Sequence, residues 1–213
     1  EISRWVGKVG MEPEFKNGLR VTDEPTMEIA EMVLNKVNKS LVQLVNELGV
    51  KAVGISGKDG MMLKCRKKYA GGEDIGFVGD VEQVDATLLS DLIHKGVVPV
   101  MAPLTHDGHG NMLNTNADTI AGETAKALSA LFDVILVYCF EKKGVLRDEN
   151  DDDSVIPQIT RVEFEQYVAD GVIQGGMIPK LENSFEAINA GVSEVVITLA
   201  SAINNSGGTR IKK

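Results

Sequence analysis

The sequence predicts an α/β fold, a three-layer αβα sandwich on a mainly parallel central sheet. Two observations carry that expectation. Short apolar, β-branched segments at 51–56, 97–101, 134–138 and 194–199 recur along the chain, as strands buried on both faces do. Between them lie stretches with an apolar residue every three or four positions, the spacing of a helix with one buried side.

Each element follows from local chemistry. In a helix over 25–48, Met27, Ala30, Val33, Val37, Leu41, Leu44 and Leu48 make one stripe expected to be buried, with Thr22 or Asp23 as the cap and Gly49 at the end. The strand at 51–56 stops at Gly57. Alternation at 62–66 and 75–81, split by Gly71 and Gly72, suggests a hairpin. Asp85 then caps a helix carrying Leu88, Leu89, Leu92 and Ile93 that closes at Gly96. In the next strand Pro99 is awkward, because it cannot donate to a central ladder. A turn-rich stretch, 105–111, leads to a helix over about 116–130. The acidic run 148–153 reads as a solvated loop. Thr160 and Glu163 have the spacing of a capping box for a helix through Val168, and a loop at 171–176 precedes a helix over 178–190.

Composition narrows the functional classes. The 213 residues carry 22 Lys plus Arg against 31 Asp plus Glu, a net charge of −9, so phosphate backbones are repelled and no nucleic acid partner is expected. With 43% hydrophobic and 25% charged residues there is enough apolar mass for a core, which excludes wholesale disorder. No apolar run approaches the roughly 20 residues that span a bilayer. Glu1, Ile2, Ser3 and Arg4 show no secretory pattern, so no membrane association and a cytoplasmic location are expected. Cys65 and Cys139 lie far apart without a CxxC pattern and read as free, partly buried thiols.

Three constellations could carry chemistry. In Gly175-Gly176-Met177-Ile178-Pro179-Lys180, two glycines free the backbone, Pro179 suits a first helical turn and Lys180 projects from it. That is either a phosphate site or a glycine cap followed by a surface lysine. In Asn114-Thr115-Asn116-Ala117-Asp118-Thr119, Asn and Asp are ordinary helix caps, or else Asn114 donates to a ligand carboxylate while Asp118 holds cationic side chains. In Asn17-Gly18-Leu19-Arg20-Val21-Thr22, a turn delivers one arginine able to grip a carboxylate. His94 suits a helix C-terminus, and His106 with His109 lacks a third ligand at a recognisable metal spacing, so no metal ligands are assigned.

Taken in order, Asn17 to Asp23, Lys36 to Lys39, Gly76 to Asp80, Asn114 to Asp118 and Gly175 to Lys180 resemble the acetylglutamate kinases, a branch of the amino acid kinase family, over essentially the whole chain. The resemblance implies transfer of the ATP γ-phosphoryl group to the side-chain carboxylate of an N-acylglutamate in arginine biosynthesis. The acyl group stays open between acetyl and a larger one such as succinyl. It implies that Arg20 and Asn114 bind the amino-acid α-carboxylate, that Lys180 neutralises charge on the transferring phosphoryl group, and that Asp118 orients catalytic lysines. Glu141, Lys143 and Gly144, with Gln174, Gly175 and Gly176, match nucleotide-contacting segments. Mg²⁺ on the phosphates and a homodimer are implied as well, as are an acylglutamate lobe over 1–130 and a nucleotide lobe over 131–213, together one compact unit.

The same resemblance implies a unit ahead of Glu1, with Lys-x-Gly-Gly and His-Gly-Gly-Gly loops, that supplies a second catalytic lysine and backbone donors. Without it the first lobe is incomplete, and the chain alone is expected to turn over poorly and to be unstable or to associate abnormally. Phe140 and Glu141 depart from the usual Ser or Thr followed by Asp, with Glu141 able to serve the aspartate's role at longer reach. The competing readings are an inactive nucleotide- and amino-acid-binding module and a sibling such as carbamate kinase or aspartokinase.

Overall fold

The computed structural model describes residues 1–203 and 207–212. A short helix, α1 (Ile2–Lys8), precedes a hairpin of β1 (Phe15–Lys16) and β2 (Leu19–Arg20), whose turn places Asn17 and Gly18 at positive φ. In the helix that follows, α2 (Glu24–Glu47), the Asp23 carboxylate accepts the Thr26 N–H at 3.0 Å, so Asp23 and not Thr22 is the cap.

The long stripe of α2 is only half core. Met27, Ala30 and Val33 are buried, but Val37, Leu41, Leu44 and Leu48 are between 46% and 83% exposed, which corrects the expectation of one buried stripe. The reason lies in what the second half of the helix lays on the strands. Asn38, buried, donates to the Val100 carbonyl at 2.8 Å, and the Lys39 ammonium donates to the Gly54 carbonyl at 2.8 Å. A Cβ on Gly54 would stand 2.0 Å from the Asn38 Oδ1, so this approach requires glycine. A polar contact therefore turns the neighbouring apolar residues outward.

The strands under α2 are β3 (Ala52–Ser56) and, further along the chain, a parallel partner. Between them come the hairpin strands β4 (Leu63–Ala70) and β5 (Glu73–Val84), turned by Gly71 and Gly72 at positive φ, and the helix α3 (Thr87–His94). The partner, β6 (Val98–Ala102), runs from Ala52↔Val98 to Ser56↔Ala102. The Val98 N–H donates to the Lys51 carbonyl, so by alternation the Pro99 nitrogen faces away from β3 and costs that pair no bond.

Two further strands, β7 (Leu104–His106) and β8 (Met112–Thr115), close the hairpin into a barrel of order β4-β5-β8-β7. The alternating pattern gives the hairpin but not this closure. Inside, the Thr105 and Thr115 hydroxyls bond at 2.8 Å, the Cys65 sulfur lies 3.8 Å from Thr115, and burial pushes the Cys65 thiol up. Gly79 makes room: its Cβ would stand 2.3 Å from the Thr115 hydroxyl.

The helix α4 (Ala117–Leu128) carries the chain from the first of two compact units, Glu1–Ile120, into the second, Ala121–Lys213. The second unit holds β9 (Ile135–Phe140), β10 (Gln158–Ile159), α5 (Arg161–Ala169), α6 (Met177–Asn189), β11 (Glu194–Leu199) and β12 (Thr209–Ile211). Its sheet has the order β10-β12-β11-β9, parallel except for β11 with β12. Leu136, Tyr138, Phe164, Leu181, Phe185, Val195 and Ile197 form its core between sheet and helices. The Thr160–Glu163 capping box opens α5 as its spacing predicts. Both cysteines are free, but Cys139 is exposed and not partly buried, because alternation along β9 turns it away from the core that Tyr138 enters. The α/β class with parallel strand pairing is the one the sequence predicts. No helix among the described residues is long and apolar enough to cross a membrane.

Glu194 on β11 receives the Arg210 guanidinium from β12, and Lys212 lies 3.5 Å away. The hydrogen bond from Arg210, more than the opposing desolvation, holds its carboxyl below the usual glutamate range. A depressed folded-state pKa contributes stability above the unfolded value, near 4.3, and that contribution is lost as pH falls through the folded value. Glu194→Gln should therefore flatten the fall of the urea midpoint between about pH 5 and pH 3. An unchanged slope would count against this pair.

Candidate active site

The turn at Asn17 and Gly18 puts Arg20 opposite Phe15, and the guanidinium lies over that ring, 4.6 Å from its centroid. Its Nη2 donates to the Ser3 hydroxyl at 2.9 Å. Its Nη1 is buried and has no acceptor among the described residues, and burial lowers the Arg20 pKa from its ordinary value. A half-buried guanidinium with an idle N–H is set up to receive an anion, because a carboxylate oxygen would satisfy both the donor and the charge.

Asn114, on β8, reaches the same neighbourhood through one intermediary. Its Nδ2 donates to the Thr22 hydroxyl at 3.3 Å, and that hydroxyl donates to the Arg20 carbonyl at 3.2 Å. Thr22 is fully buried, and its backbone bridges Gly76 on β5: the Thr22 N–H donates to the Ile75 carbonyl, and the Phe77 N–H to the Thr22 carbonyl. Gly76 has φ +80°, and a Cβ there would stand 2.1 Å from the Thr22 carbonyl oxygen. The barrel thus holds Asn114 through the Val78↔Asn114 pairing, and Gly76 lets the Arg20 segment dock on it. In the sequence Thr22 reads as a possible cap, and nothing there points to Phe15 or Ser3. A buried threonine and an exposed phenylalanine leave no one-dimensional signal.

Asp118 lies in the first turn of α4, three residues after β8, where Asn116 accepts the Thr119 N–H at 3.0 Å. Asn116 takes the capping role, so Asp118 is not needed as the cap.

In the second unit, a cavity of about 540 Å³ opens between residues 142–149 and 171–177. Val145, Leu146, Val172, Ile173 and Met177 give it apolar walls, while Lys142 and Arg147 bring cations and Asp148 and Glu149 bring acids to its edge. Gly144 and Gln174 both line it. Gly144 is also a packing requirement, since its Cβ would stand 2.8 Å from the Thr209 hydroxyl, which accepts the Val145 N–H. Gln174 donates to the Gly171 carbonyl across the loop. Lys142 pairs with Asp152 at 2.9 Å and Lys143 with Asp153 at 2.6 Å, so the acidic run is the exposed, solvated loop its composition predicts, with two surface pairs to the end of the strand. Glu141 follows β9 directly and is exposed; Gly175 and Gly176 lead into α6, with Gly175 at φ +55°. Lys180, in the first turn and a half of α6, has its ammonium 3.5 Å from the centroid of the Phe140 ring at the end of β9.

An α/β chain with an anion-ready guanidinium in one unit, and in the other a cavity of nucleotide size and a helix-borne lysine, has the parts of a small-molecule kinase. The chain belongs to the amino acid kinase family, which matches residues 2–199. It is 72% identical over 207 residues to acetylglutamate kinase of Bacteroides thetaiotaomicron, covering 97% of this chain and 80% of that protein. It is 62% identical over 212 residues to acetylglutamate kinase of Phocaeicola vulgatus, covering 99% and 82%. Among solved structures, smu.665 from Streptococcus mutans superposes with a TM-score of 0.81 at 29% identity, over 99% of this chain and 81% of that one.

Gly76→Ala should destabilise the protein by on the order of 2–4 kcal/mol, since it combines a left-handed φ with a backbone clash. The check is a urea midpoint. A midpoint within error of the parent would mean that the Thr22 segment can move away at little cost.

Proposed function

We propose that this protein is an ATP-dependent acetylglutamate kinase, which moves the γ-phosphoryl group of ATP to the side-chain carboxylate of N-acetyl-L-glutamate in arginine biosynthesis. The observation that carries the reading is Arg20, with its buried, unpartnered Nη1 beside the Thr22–Asn114 hydrogen bond. The names and identities of the Bacteroides and Phocaeicola relatives support it.

In this reading the first unit binds the acylglutamate. Arg20 takes the α-carboxylate, with Asn114 donating to the same group. The second unit binds ATP: the base lies against the apolar wall of the cavity that Gly144 and Gln174 line, and in this reading Gly175, Gly176, Glu141 and Lys143 also flank the nucleotide. The nucleophile is a carboxylate, already ionised at neutral pH, so no general base is required. A carboxylate oxygen forms a bond to the γ-phosphorus, the bond from that phosphorus to the β–γ bridging oxygen breaks, and its electron pair leaves with ADP. Because both reactants are anions, the protein's work is positioning and charge compensation: Lys180 offsets charge on the transferring group, and Asp118 orients cationic side chains. The described residues include no cluster of three or more Asp, Glu, His or Cys able to hold a metal. Mg²⁺ therefore fits as an ion carried on the nucleotide phosphates, where it supplies further charge compensation. The cytoplasm, which holds ATP, is the proposed setting.

A homodimer completes the reading. Val37, Leu41, Leu44 and Leu48 repeat at helical spacing along one exposed face of α2. In a chain of net charge −9, an uncharged apolar seam is where a second copy can approach without like-charge repulsion, and one helix face can pair with itself about a two-fold axis.

Lys180→Ala should lower kcat by roughly 10²–10³ with little change in ATP affinity, while Arg20→Ala should chiefly raise the KM for acetylglutamate. Unimpaired turnover in Lys180→Ala would overturn the phosphate-site assignment. The double substitution Leu41→Glu with Leu44→Glu should halve the mass seen by sedimentation equilibrium, and an unchanged mass would remove α2 as the seam.

A further inference from the structure

The contact between Lys180 and Phe140 joins two elements that the sequence places forty residues apart. Phe140 is the last residue of β9, and its backbone is set by the Leu199↔Phe140 pairing with β11. Its ring lies nearly parallel to that of Tyr138, 17° between planes and 6.0 Å between centroids, and packs against the core of the second unit. The ring is therefore held by its strand and by a buried tyrosine beside it. The ring also receives the Lys180 ammonium, 3.5 Å from its centroid, within the range at which the negative face of an aromatic ring attracts a cation.

This contact differs in kind from an ion pair. A ring face draws an ammonium in without itself adding negative charge, so it helps to fix where Nζ sits. A lysine side chain has four rotatable bonds and loses up to about 2 kcal/mol of rotamer freedom when held in one place. A pre-formed contact meets part of that cost before substrate arrives. It also accounts for a large aromatic residue at the end of a strand whose next residue, Glu141, is exposed.

We propose that Phe140 is a positioning residue for phosphoryl transfer, its ring face holding the Lys180 ammonium in place for the terminal phosphate. The proposal rests on the reading of Lys180 as the phosphate-neutralising lysine, and its test keeps the two apart. In the purified protein, residue 140 is replaced by phenylalanines bearing one, two and three ring fluorines, which weaken the negative face of the ring while nearly preserving its shape, and kcat, the KM for ATP and the melting temperature are measured for each. Phe140→Leu and Lys180→Ala complete the set. The expected result is a stepwise fall of kcat with each fluorine, reaching roughly 3- to 30-fold for Phe140→Leu, with KM for ATP and melting temperature nearly constant along the fluorinated series. The Lys180 ε-methylene protons should also resonate upfield in the parent, from the ring current, and return downfield in Phe140→Leu. A flat kcat along the series, with Lys180→Ala still strongly impaired, would overturn the role of Phe140 and leave that of Lys180 standing. Full turnover in Lys180→Ala would overturn the reading of Lys180 itself, and the role of Phe140 with it.

Discussion

A guanidinium that no carboxylate neutralises has to be held by neutral groups, and much of the first unit is arranged around that constraint. The chain carries 31 acidic residues, yet among the described residues Arg20 is held by a serine hydroxyl and the face of a phenylalanine, with one nitrogen left idle in a buried position. A carboxylate there would settle the charge at once and leave nothing for a ligand. The neutral alternative leaves a buried donor unsatisfied, a cost of a few kcal/mol at most, which an anionic ligand then removes.

That arrangement depends on backbone coming very close to backbone. Thr22 can reach both Asn114 and the Arg20 carbonyl only because its own main chain lies against Gly76, where any Cβ would collide with a carbonyl oxygen. The barrel behind it is tight for the same reason: Gly79 leaves space for the Thr105–Thr115 hydroxyl pair beside Cys65. Two glycines three positions apart on β5, one at positive φ and one not, thus serve different ends. Gly76 permits docking of the arginine segment, and Gly79 permits closure of a small barrel whose strand β8 carries Asn114.

Much of this was legible in advance. The helices showed their caps: Asp23 with Thr26, and Thr160 with Glu163, are local interactions within four residues, so the order of residues is enough to reveal them. The hairpin showed itself in Gly71 and Gly72 and in its alternation. Arg20, Asn114 and Lys180 each stand in a local constellation that leaves a binding reading open, and a resemblance spread across many short pieces, each weak alone, implies their roles. The exposed half of α2 did not show itself, because Val37 and Leu41 look the same in a core helix and in a helix that lays Asn38 on a strand. Periodicity tells which residues share a face and is silent on what that face meets.

The residue order was sufficient for the longer helices, the four apolar strands, the α/β class and the family, because these follow from contacts along the chain and from patterns of residue type. The short elements α1, β1, β2, β7, β10 and β12 it did not show, and α3 opens at Ala86, without a side-chain cap bond, and not at Asp85. The closure of the barrel, the outward turn of the α2 stripe, the bridging role of Thr22, and the seating of Arg20 on Phe15 and of Lys180 on Phe140 emerged only in three dimensions. Each joins side chains brought together by packing, over distances at which an amino-acid sequence carries no direction, and direction is what a hydrogen bond or a ring face requires.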